Sequence, residues 1–178
     1  MKIGLTGASG TGKTTLAKEL SKKYNLRHIT NVARTSPGAE FGMLTSNASL
    51  QNQLIIMNTL KFWAEQDAIV SDRIVADAYI YLKMAGISLD MPTNNFVLNQ
   101  LYSNLSDYDV IIYCPLYEWD VESEGVRNLD SNYQHKFSEK LECILFDYCP
   151  NLPMVMKNEP IQERLIAIDE FLTKKNLI

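Results

Sequence analysis

The residues Gly7-Ala8-Ser9-Gly10-Thr11-Gly12-Lys13-Thr14 have the spacing Gly-x-x-x-x-Gly-Lys-Thr, and that spacing suits the binding of a polyphosphate. Such a ligand needs many hydrogen-bond donors converging from a backbone that approaches closely, and glycines let the chain turn there without Cβ clashes. Gly7, Ser9, Gly10, Thr11, Gly12, Lys13, Thr14 and Thr15 are therefore the candidate phosphate-cradling residues. Lys13 is expected on the β- and γ-phosphates, Thr14 offers a hydroxyl to Mg²⁺, and the helix that opens here turns its positive end toward the anion.

Asp72 is the next candidate. It closes the apolar run Ile69-Val70-Ser71-Asp72, where a carboxylate can hold Mg²⁺ together with Thr14 or orient an attacking group; capping the following helix is the plain alternative. Asp77 falls inside that helix and is a weaker candidate for acceptor binding. Arginine is scarce, five residues against twelve lysines, and four of the five fall where a phosphate site needs a bidentate grip. Arg34 and Arg73 follow the second and third strands as substrate-binding candidates, and Arg164, near the start of the last helix, belongs with the nucleotide. Arg127 lies in the acidic segment Pro115 to Asp130, broken by Gly125, which reads as a lid over about 115–131. Phosphoryl transfer must exclude water, and lid closure would deliver Arg127 to the transferred phosphate, giving a catalytic set of Lys13, Asp72 and Arg127. For each arginine taken alone, an ordinary surface ion pair is the competing explanation.

These residues need a scaffold that brings the ends of several strands together. Apolar runs and turn residues predict strands at Lys2 to Thr6, Arg27 to Thr30, Ala68 to Ser71, Asp109 to Cys114 and Pro153 to Met156. Helices are expected at Thr11 to Tyr24, Leu50 to Gln66, Ile74 to Ala85, Thr93 to Leu105, Asn132 to Tyr148 and Pro160 to Lys175, the last with Pro160 at the first helical position. Strands alternating with helices force crossovers. The expected class is therefore α/β, a three-layer fold with a five-stranded parallel sheet, with ligands beyond the carboxyl ends of the strands. The Met57 to Trp63 and Tyr79 to Met84 stretches have the spacing of buried helices rather than of a ring-binding surface. The Pro37 to Leu44 loop, with two glycines and Phe41, is the expected acceptor flap.

At 178 residues the chain suits a single domain, 1–178, with no internal repeat or linker. No apolar run reaches a membrane span, and the apolar N-terminus leads straight into the phosphate loop rather than to a cleavage site. Cys114, Cys143 and Cys149 form no Cys-x-x-Cys pair, which suits reduced thiols in a cytoplasmic protein. A net charge of -4 argues against extensive non-specific duplex binding and leaves a local basic groove open.

Taken together, the phosphate loop, the Arg34 element, Ser71-Asp72-Arg73 with Asp77, Tyr108-Asp109, Glu124-Gly125-Val126-Arg127 and Glu163-Arg164 resemble the small NadR-like AAA-type P-loop kinases. That group is similar to the nicotinamide ribonucleoside kinase domain of the bacterial NAD regulator. The resemblance implies ATP and Mg²⁺ as cofactors and transfer of the γ-phosphate to a small nucleoside, nucleotide or nucleotide-like acceptor. Related small phage kinases leave a base within DNA open as the acceptor. From another class, an ATP-bound switch that hydrolyses slowly is the rival reading. Two positions depart from the family pattern: Glu124 stands where Asp usually precedes Gly-Val-Arg, and Asn31 stands where an acid commonly lies three residues before the arginine. An amide cannot take the proton of an attacking hydroxyl, so Asn31 tilts the expectation slightly toward an acceptor that is already an ionised phosphate; the alternative is that Asp72 itself serves as base for a hydroxyl, free or in DNA.

Overall fold

A computed structural model describes residues 1–41, 47–117, 131–149, 151 and 153–178. Its strands are β1 (Lys2–Thr6), β2 (Arg27–Ile29), β3 (Ile69–Ser71), β4 (Val110–Tyr113) and β5 (Met154–Val155). Its α-helices are α1 (Lys13–Tyr24), α2 (Leu50–Ala64), α3 (Val75–Met84), α4 (Met91–Asp107), α5 (Ser131–Tyr148) and α6 (Ile161–Lys174). A 3₁₀ turn, Val32–Thr35, follows β2 and was not anticipated from the sequence.

Local chemistry accounts for the element ends. Helix α1 begins at Lys13 rather than at the expected Thr11, because Gly12 has φ 79 and is not helical. It ends at Asn25, left-handed at φ 53, whose N–H donates to the Ser21 carbonyl. Ser49 caps α2 by accepting from Asn52 N–H, and Asp90 caps α4 by accepting from Thr93 N–H at 2.9 Å. The Asp90 cap draws the start of α4 back to Met91, two residues before the expected Thr93. Pro160 sits at the N-cap of α6 in an extended conformation, ψ 151, so the helix starts one residue later than its Pro suggested.

All strand pairs are parallel and the sheet order is β2-β3-β1-β4-β5. Side chains alternate across it as strand geometry requires. Ile3, Leu5, Val70, Val110 and Ile112 meet Leu16, Leu20, Leu165, Ile168 and Leu172 of α1 and α6 on one face. Ile69, Ile111 and Tyr113 join the core built by α2, α3, α4 and α5 on the other. Met57 and Leu60 are buried in that core, as their spacing predicted, whereas Phe62 is 54% exposed. The three layers fix the carboxyl ends of β1, β3 and β4 beside one another, and the chemistry-bearing residues follow those ends.

Candidate active site

Between β1 and α1 the chain runs through three glycines with positive φ, Gly7 at 142, Gly10 at 86 and Gly12 at 79. A Cβ on Gly7 would lie 2.2 Å from the Cys114 carbonyl oxygen, so the loop passes hard against the end of β4. Lys13 folds back over this loop and donates to the Ala8 carbonyl and, at 2.9 Å, to Thr11 Oγ1. Burial, reinforced by the nearby Arg73 guanidinium, lowers the Lys13 ammonium to about 7, against opposing pulls from Cys114, Asp77 and Asp72.

Thr14 Oγ1 donates to Asp72 Oδ2 at 2.6 Å, which joins the first turn of α1 to the end of β3. Asp72 is 1% exposed. It does not cap α3, whose N-cap is Ile74. A hydroxyl and a carboxylate in contact at the mouth of a phosphate loop form an all-oxygen pair that fits Mg²⁺, a hard cation that takes one or two protein ligands and completes its shell with phosphate oxygens and water.

Arg73 and Asp77 were expected to reach toward an acceptor, and here they engage each other. Arg73 Nη1 donates to the Gly7 carbonyl at 2.7 Å and to Asp77 Oδ1. The other Asp77 oxygen accepts from Thr6 Oγ1 at 2.9 Å and from Ile74 N–H at 3.0 Å. Asp77 is thereby enclosed among β1, Arg73 and the start of α3, where it holds the arginine beside the phosphate loop. The guanidinium carbon lies 6.0 Å from the centre of the Tyr81 ring.

Arg164 comes to the loop from the opposite face. Its Nη1 donates to the Thr11 carbonyl at 3.2 Å, Nε to the Glu159 carbonyl at 2.7 Å and Nη2 to Asn158 Oδ1 at 2.9 Å. A Cβ on Gly12 would lie 3.2 Å from its Nη1. Arg34 is exposed on the 3₁₀ turn after β2. That turn is capped by Asn31, whose side-chain oxygen accepts from Ala33 N–H at 3.2 Å. Thr15, on α1, is exposed. Arg127 and the lid positions 118–130 lie outside the described residues, as do positions 42–46 of the expected flap.

Two buried glutamines were missed in the sequence. Gln134, in the first turn of α5, accepts from the Ser9 N–H of the phosphate loop at 3.0 Å. Gln53, on α2, is 1% exposed, and both polar atoms of its amide lack a hydrogen-bond partner among the described residues. Its neighbour Asn52 accepts from Gly38 N–H at 2.9 Å and closes the loop after the 3₁₀ turn onto α2. Polar residues on amphipathic helices read as solvent-facing, so only the tertiary fold reveals them.

Comparisons with known proteins bear on the family and the fold. A profile of the AAA domain family matches residues 2–164. An adenylate kinase of Agathobacter rectalis is 34% identical over 99 residues, 56% of this chain; the match spans 39% of that longer protein. The deoxyadenosine kinase of M. mycoides, solved with dCMP and dCDP, superposes with a TM-score of 0.71 at 18% identity, covering 98% of this chain and 99% of that one. NadR in complex with NR superposes with a TM-score of 0.72 at 18% identity, covering 95% of this chain and 50% of that one. At such identities these likenesses speak to the fold. With its phosphate loop intact and the family profile spanning nearly its whole length, the chain belongs to the AAA domain family and has the α/β architecture of P-loop kinases.

Proposed function

We propose that this chain is a cytoplasmic, single-domain, ATP- and Mg²⁺-dependent phosphotransferase acting on a small nucleoside- or nucleotide-like acceptor. The contact that carries the reading is Thr14 Oγ1 to Asp72 Oδ2, 2.6 Å, at the foot of a loop already lined by Lys13, Arg73 and Arg164. Phosphoryl transfer demands positioning and charge stabilisation rather than covalent chemistry, and this set provides both. Thr14 and Asp72 would hold Mg²⁺, which when bound neutralises charge on the β- and γ-phosphates. Lys13 swings from the Ala8 carbonyl onto those phosphates. Arg164 fixes the loop from the α6 side, Arg73 supports it from the connection between β3 and α3, and Arg127 is assigned to the transferred phosphate.

On the acceptor side, Arg34 stands at the end of β2, and Asn31 is committed to the turn that carries it. An amide there in place of an acid favours an acceptor that brings its own anionic oxygen. The buried amide of Gln53 adds a donor and an acceptor that an amide or aminopyrimidine-like edge satisfies together.

The test is transfer of labelled γ-phosphate from ATP to matched nucleosides and nucleoside monophosphates, with nicotinamide riboside and modified DNA as further arms. Monophosphates are expected to be labelled at least about tenfold faster than the matching nucleosides. A base contributes roughly 10² to 10⁴ in rate to a hydroxyl acceptor, and Asn31 cannot supply it. Labelling of nucleosides alone overturns the choice of acceptor. ATP hydrolysis with no transfer to any arm overturns the kinase reading in favour of a switch.

A further inference from the structure

The phosphate loop is held from an element that the kinase reading does not use. Ser9 lies between Gly7 and Gly10, both with positive φ, in a stretch that belongs to neither β1 nor α1. Its N–H is bonded to Gln134 Oε1 at 3.0 Å, across 125 residues of sequence. Gln134 is 2% exposed, so burial fixes its side chain. The helix around it is anchored independently: Tyr81 of α3 lies 4.7 Å from the Phe137 ring and 6.5 Å from that of Tyr133, centre to centre, and Phe137 and Leu141 are fully buried. The first turns of α5 thus form a rigid bracket on α3, and Gln134 reaches from it to the loop.

The residue type is informative. The Ala8–Ser9 peptide is held at both ends: its carbonyl accepts from Lys13 and, at 3.1 Å, from Thr11 Oγ1, and its N–H donates to Gln134, the one of these bonds that comes from outside the loop and α1. A carboxylate at 134 would accept the same bond but place a negative charge beside a bound triphosphate, whereas a neutral amide oxygen accepts it without that repulsion. We infer that Gln134 is a positioning residue of the phosphate site: its amide oxygen holds the N–H end of the Ala8–Ser9 peptide from α5, and so helps keep the loop in one shape for the donor nucleotide when Lys13 leaves the Ala8 carbonyl for the phosphates. This rests on the proposal that the loop binds ATP for transfer. It adds α5, the helix directly after the expected lid, to the donor site.

Gln134→Met and Gln134→Glu test it through Ser9 amide exchange by NMR in nucleotide-free protein, ATP affinity by calorimetry, and kcat with the best acceptor. Gln134→Met is expected to raise Ser9 exchange and lower kcat, each by about tenfold, with the acceptor KM unchanged. Gln134→Glu is expected to keep Ser9 protected yet weaken ATP binding by about tenfold, more at low salt than at high. Should Gln134→Met fail to fold, Gln134→Asn, which keeps the amide but not the reach, replaces it with the same expectation. Ser9 exchange equal to wild type in the Met or Asn variant, or wild-type ATP affinity in Gln134→Glu, overturns the proposal. A wild-type protein that binds ATP but labels no acceptor overturns the kinase reading instead. Exchange and ATP affinity still decide the role of Gln134 in that case.

Discussion

Lys13 carries the sharpest consequence at the scale of a single residue. Its ammonium is buried and held down to about 7, first by desolvation and then by Arg73, while an unfolded chain keeps the ordinary value of 10.5. Between these two values the unfolded chain binds the proton that the folded one lacks, so the nucleotide-free protein gains stability as pH rises through that window and bears the full cost below it. A triphosphate reverses the balance, because four negative charges favour the ammonium. ATP binding at pH 8 is therefore expected to take up close to one proton, and binding at pH 6 far less, as read by calorimetry in buffers of different ionisation enthalpy. Lys13→Ala should abolish the uptake and lower transfer by about 100-fold, roughly 3 kcal/mol of transition-state stabilisation. Equal uptake in the variant would show that another group takes the proton.

At the scale of elements, the phosphate loop depends on how closely β1 and β4 approach. Ile112 pairs with Leu5 and Tyr113 with Thr6, and the chain beyond β1 must clear the Cys114 carbonyl at once. Gly7 allows this; Gly7→Ala would set a Cβ 2.2 Å from that oxygen at φ 142. The strand ends must then part, and the variant is expected to lose about 3 kcal/mol in denaturant unfolding together with ATP binding. An unchanged midpoint would show that the loop has slack. Features set by local chemistry, such as this glycine spacing and the apolar strand before it, were legible in the sequence, and the five strands and six α-helices of the described residues were anticipated to within a few residues. The strand order was not. Ile69–Ser71 is buried on both faces, so it carries no alternation to say which neighbour it takes. Nor was the enclosure of Asp77, since nothing near it in the chain predicts the hydroxyl of Thr6, 71 residues away.

At the scale of the whole molecule, the proposed function would put donor and acceptor at different strand ends of the sheet. Lys13 follows β1 at the centre of the sheet and Arg34 follows β2 at its edge, with β3 between them. Two strand intervals amount to about 10 Å, so donor and acceptor phosphates can enter from different strand ends and meet over Asp72 at the end of β3. Binding at separate sites should stabilise the fold separately. ATP with Mg²⁺ at about 100 times its Kd is worth about 2.7 kcal/mol, which for a chain of 178 residues raises Tm by about 5 to 10 °C. A nucleoside monophosphate acceptor should raise Tm on its own and add to the ATP shift. Arg34→Ala should erase the acceptor shift and leave the ATP shift intact, because Arg34 is exposed on the turn after β2, which β3 separates from the β1 end that carries the phosphate loop. A slow ATP-dependent switch has no acceptor shift to lose. Loss of the ATP shift in Arg34→Ala would instead place that arginine on the donor and require the acceptor to approach from the β4 side of the sheet.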